Sequence, residues 1–224
     1  MLQRLKRFKV QHPFTSLMLI AIAARIIAVI FVPGFGSRGE FQHPTLFVAF
    51  LEKVKSLLGI GQSQGMMLLS RSLYAMVSLF TVSMVYRICD LISNKQNAWL
   101  LALIPAFSCI MPSFGIIENQ SAFLGLPLLL YGCNVILRQE VLRQNNITEN
   151  VHRSSFFIAG LMLGLSICVW YESVFIAFCI LLLLCIKRSF KGALMTFIGM
   201  IAAIAAIWLI LLLLNVDPLK YIIL

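Results

Sequence analysis

Charge is scarce in this chain. Asp, Glu, Lys and Arg together make up 12% of its 224 residues, and only 8 of them are acidic. A soluble domain carries about 25% charged residues. That scarcity excludes an ordinary soluble domain and makes every charge inside an apolar run informative. Motifs are scarce too. There is no H-x-x-x-H pair for a zinc protease and no G-x-x-x-x-G-K phosphate loop. The 6 cysteines, at 89, 109, 133, 168, 179 and 185, contain no C-x-x-C pair. They read as small apolar residues rather than bridges or metal ligands.

What is there is hydrocarbon. The chain is 61% hydrophobic, against about 45–50% for a globular domain. The net charge of +10 comes from basic residues at the ends of apolar runs, not from a basic stripe interleaved with aromatics. This pattern excludes nucleic acid and points to membrane lipids with an anionic inner leaflet.

The runs predict an all-α polytopic membrane protein of about seven transmembrane helices, with residues 1–224 forming one domain. Residues 1–13 carry Arg4, Lys6, Arg7 and Lys9 and are expected in the cytoplasm. The first span, about 14–32, is long for the core of a cleaved signal and is read as retained. Arg25 interrupts it. A buried arginine needs a partner, and two readings stand open: snorkelling or pairing with an acid on another span, or capture of a lipid phosphate. Pro33, Gly34, Gly36 and Gly39 end the helix and open the first outer loop, 33–65. Within it, Thr45 to Leu58 has helical apolar spacing with Glu52, Lys53 and Lys55 on the other side. That predicts an amphipathic helix lying along the interface.

Further spans are expected over about 66–92, as two helices within 98–137, as a hairpin within 155–186, and over 192–214. The hairpin is chosen because a single helix of 32 residues measures ~48 Å against a ~30 Å hydrocarbon core. It also keeps Lys187, Arg188 and Lys191 inside with the cytoplasmic loop 138–154. The C-terminus is then extracytoplasmic or lumenal. Trp99, Trp170 and Tyr171 suit interfacial belts.

On this topology Glu40, Glu118, Glu172 and Asp217 all fall at outer junctions, four of the eight acids. Carboxylates gathered on one face from different loops are the material of a general base or a cation site. Solvated turn acids are the plain alternative. Glu40, flanked by glycine and three residues before His43, is the first candidate. Glu118 is the second. His43 is either a loop hydrogen bonder or a substrate contact.

Gly39-Glu40-Phe41-Gln42 resembles the acid-aromatic-Gln loop of lipid-linked mannosyltransferases. His43-Pro44-Thr45-Leu46 is similar to the H-P-P-L stretch of protein mannosyltransferases and aminoarabinose transferases. With the arginine in the first span and the interfacial helix, the order resembles the seven-helix module of the GT-C glycosyltransferases. The resemblance implies that Glu40 is the catalytic base and Glu118 the second acid, holding acceptor or a divalent cation. The family's usual pair of acids in the first loop is replaced here by Gly39-Glu40, and most members are longer.

The function expected is therefore transfer of a sugar from a polyprenyl-phosphate donor to an acceptor on the extracytoplasmic or lumenal face. Glu40 and Glu118 are the catalytic candidates. Arg25, Arg71, His43 and Glu172 are the substrate-binding candidates, with no metal ligand assigned. Arg25 or Arg71 would neutralise the phosphodiester leaving group. The rival is a non-catalytic membrane subunit packed against a larger partner in a complex. A small transporter is a weaker third, since no duplicated half of inverted sense is evident.

Overall fold

A computed structural model describes residues 12–31, 64–107, 120–145 and 153–215. At 29–31, 64–74 and 120–123 it describes the backbone alone. Seven helices account for almost all of these residues: α1 (Pro13–Phe31), α2 (Gln64–Ile92), α3 (Lys95–Phe107), α4 (Gln120–Gln144), α5 (Arg153–Val169), α6 (Ser173–Ile186) and α7 (Phe190–Leu213). Among the described residues there is no strand. The expected interfacial helix at 45–58 lies outside them.

The helix ends follow local chemistry. Pro13 opens α1 at a position where its missing N–H costs nothing, and Ser16 Oγ donates to its carbonyl at 2.8 Å. Asn94 caps α3 by accepting from the Asn97 backbone N–H at 2.8 Å. The break expected near Trp170–Ser173 is present: α5 stops at Val169 and α6 starts at Ser173. One boundary differs. α4 continues seven residues into the segment 138–154, expected as a loop. Leu137-Arg-Gln-Glu140 and Leu142-Arg143 are strong helix formers, so polarity marks a change of surroundings there without stopping the helix.

The helices fall into two compact units. In unit 1, α1, α2 and α3 meet around Leu17, Ala21, Val82 and Tyr86, against a face of α3 made of Ala98, Ala102 and Ala106. The rings of Phe14 and Tyr86 pack with centroids 5.3 Å apart. In unit 2, Leu129, Phe156, Leu163 and Met200 lie at the centre of α4 to α7. The five described cysteines, Cys89, Cys133, Cys168, Cys179 and Cys185, are all free thiols.

Size is distributed in an unusual way. Buried positions are dominated by alanine, glycine, serine and threonine, while Phe175, Ile186 and Leu213 are 73%, 74% and 75% exposed. Water would select the reverse. Among the described residues, two helical stretches are long and apolar enough to cross a membrane: Ala75–Ile92 within α2, with mean hydropathy 1.6, and α7, with mean hydropathy 2.6. Helices α5 and α6 and most of α1 are apolar but shorter.

Candidate functional site

Arg25 is the candidate the structure describes most fully. It is 2% exposed, on the inner face of α1. Its Nε donates to Ser78 Oγ on α2 at 2.8 Å. Its Nη2 donates to the Pro105 carbonyl at 2.9 Å, and Nη1 donates to the Ala106 carbonyl and to Ala21 O. A guanidinium has five N–H groups, so these bonds occupy four of them. The Pro105 and Ala106 carbonyls lie at the last described residues of α3. Arg25 ties α1 to α3 through them. Ser78 is held in turn, its Oγ donating to Ala75 O at 2.8 Å. Of the two readings of Arg25, these bonds belong to the structural one. Its described partners are a hydroxyl and carbonyls rather than an acid.

Glu172 sits exposed in the α5–α6 turn. It accepts from Trp170 Nε1 at 2.8 Å, two residues away. That bond braces the turn. Arg71 lies on α2 seven residues before Ser78, about 10 Å along the axis, and its side chain is outside the description. Glu40, His43, Glu118 and Asp217 are outside the described residues altogether. None of the predicted site residues is therefore seen in contact with another. No group of three His, Cys, Asp or Glu side chains gathers for a metal among the described residues.

Several working residues escaped the sequence reading. Trp99, expected at an interface, is only 9% exposed, and its Nε1 donates to Ser16 Oγ at 3.0 Å, tying α3 to α1. Ser166 is fully buried and donates to Gly125 O at 3.0 Å, two residues before Pro127 inside α4. Arg143 on α4 pairs with Glu140 at 3.3 Å and donates to the Lys187 carbonyl at the end of α6. The glycines of α5 and α7 matter most for packing. A Cβ on Gly160 would stand 2.1 Å from Thr196 O, and one on Gly199 2.3 Å from Phe157 O. A Cβ on Gly164 would stand 2.6 Å from Met200 O. Gly160-Leu-Met-Leu-Gly164 is a G-x-x-x-G stretch, a signal legible in the sequence.

No nucleophile elbow is expected from the sequence, yet Gly61-Gln-Ser63-Gln-Gly65 has its G-x-S-x-G spacing. That device needs a strand leading into the serine. Residues 61–63 lie outside the description, and α2 already begins at Gln64. Comparison with known proteins finds no matching family model, no matching curated protein and no matching solved structure.

Proposed function

We propose that the chain is a multi-pass membrane glycosyltransferase that moves a sugar from a polyprenyl-phosphate donor to an acceptor at the extracytoplasmic or lumenal face. The observation that carries the reading is the alternation of charge along the helix order. Glu40, Glu118, Glu172 and Asp217 fall in or after the breaks that follow α1, α3, α5 and α7. Lys95, Arg143, Arg153, Lys187, Arg188 and Lys191 flank the intervening breaks. Helices crossing a bilayer in turn would carry these four acids to one face and these six cations to the cytoplasmic one. Small interior residues and large exterior ones suit the same setting, because lipid gives helices no hydrophobic reason to associate and close packing must do it.

In this mechanism Glu40 takes the proton of the acceptor hydroxyl as it attacks the anomeric carbon. The lipid phosphate leaves from the opposite side with inversion, and Glu118 orients the acceptor. Arg71 is assigned to the leaving phosphate, since the described bonds of Arg25 commit it to α3. Glu40→Gln in the full chain is expected to lower transfer by about 10²–10⁴-fold with helical content unchanged. Undiminished transfer removes Glu40 from the mechanism.

The structural commitments of Arg25 and Glu172 favour a second reading, a non-catalytic subunit. A stoichiometric partner that co-purifies and carries its own pair of acids would establish it.

A further inference from the structure

We propose that the α6–α7 turn, with the start of α5 beside it, is a docking surface for the headgroup of an anionic phospholipid. The inference rests on the membrane part of the preceding reading and is independent of the glycosyl-transfer part.

Lys187, Arg188 and Lys191 are exposed at this turn. Arg153 joins them, because Phe156, one turn on, lies against Gly192, its ring within 3.0 Å of where a Cβ there would stand. Among the described residues none of these four side chains has a hydrogen bond or ion pair. The only acid of α4, Glu140, is already paired with Arg143. The other end of the same unit carries Glu172 and, among the described residues, no lysine or arginine. Among the described residues, the unit's cations thus gather at one end, and these four have no internal partner.

Arg188 makes the point sharper. It ends α6 with φ 57°, the left-handed region. Its N–H donates to Cys185 O at 2.9 Å and the next N–H, of Ser189, to Leu184 O at 2.8 Å. This is a Schellman cap, whose left-handed residue is usually glycine. A side chain there is strained, because its Cβ crowds the following carbonyl oxygen. Nothing described within the protein offsets that strain. An arginine held in a glycine position with its guanidinium outward points to a use outside the chain.

The occupant follows from what surrounds the cations. Ile186 is 74% exposed and Phe190 65%, on either side of the turn, and Leu194 continues the apolar strip at 58%. A ligand that fits has a phosphate beside an acyl chain, with the phosphate on Arg188 and Lys191 and the chain along α6 and α7.

The test uses the full chain reconstituted in phosphatidylcholine vesicles containing phosphatidylglycerol, measuring enrichment of phosphatidylglycerol in the lipid retained on purification. Wild type is expected to enrich it. Arg188→Gly is expected to lose about five-fold of that enrichment, the effect of one basic residue at a membrane surface. The same variant should unfold at a higher temperature in phosphatidylcholine alone, because glycine relieves the strained turn. Arg188→Lys should keep most of the enrichment, and Lys191→Gln should lose it without touching the strained position. Retained enrichment in Arg188→Gly and Lys191→Gln overturns the proposal. So does equal competition by inorganic phosphate, which would make the ligand a free anion. A chain that floats with phosphatidylcholine vesicles but shows no enrichment overturns this inference alone. A chain that does not float overturns the membrane reading with it.

Discussion

The two helical units solve the same problem by different means. Unit 1 is joined by polar groups that reach between helices: Arg25 to Ser78 and to the end of α3, and Trp99 to Ser16. Unit 2 is joined by the removal of side chains. Gly160, Gly164 and Gly199 let α5 and α7 approach until backbone touches side-chain positions. The first strategy concentrates stability in one residue and makes it directional. The second spreads it along a seam and makes it steric. Both units also place a donor beside a helix interrupted by proline: Arg25 at Pro105 in α3, and Ser166 at Gly125, just before Pro127 in α4. In each case the donor reaches a backbone carbonyl near the proline from a neighbouring helix. The donor is charged in unit 1 and neutral in unit 2.

The contrast can be broken from the glycine side first. Gly160→Leu should destabilise unit 2 by about 3 kcal/mol or more, because the new side chain meets Thr196 backbone rather than a movable side chain. Trp170 and Trp208 lie in unit 2 and Trp99 in unit 1, so tryptophan-to-phenylalanine backgrounds separate the two signals. Loss confined to the Trp170 and Trp208 signal on heating supports the seam. Loss seen equally at Trp99 would mean that the units do not unfold separately.

Arg25→Met comes next, with an expected cost of about 1.5–3 kcal/mol read at Trp99, since it removes the charged hydrogen bonds that join α1 to Ser78 and to the Pro105 and Ala106 carbonyls. Arg25→Lys should recover only part of it, because one ammonium cannot copy the planar fork that reaches three helices. An unchanged Arg25→Met protein would remove the structural role and return Arg25 to the substrate-binding candidates.

Ser166→Ala is the smallest of the three, at about 1 kcal/mol, the typical net value of one neutral hydrogen bond. If it costs as much as Arg25→Met, the distinction between charged and neutral support for the two prolines fails.

Much of this was legible from residue order alone. Apolar runs located all seven described helices, and Trp170 to Ser173 marked the break between α5 and α6 that a length argument required. Hydropathy was less able to see where α4 ends. Polar residues begin at Arg138, yet Arg143 still reaches the end of α6 and the helix continues to Gln144. Arg25 was visible as an anomaly, and its need for a partner followed from the cost of burying a charge. The identity of the partner did not. Backbone carbonyls carry no mark in a sequence, and Ser78 lies 53 residues away.

Residue composition by itself determined an all-α, lipid-like chain with its cations at alternate helix ends, since hydropathy and charge are properties of single residues. Only the tertiary structure decided which small residues are contact points, which arginine ties three helices together, and which exposed cations are left without a partner among the described residues. Those are relations between distant atoms, set by how closely two helices approach.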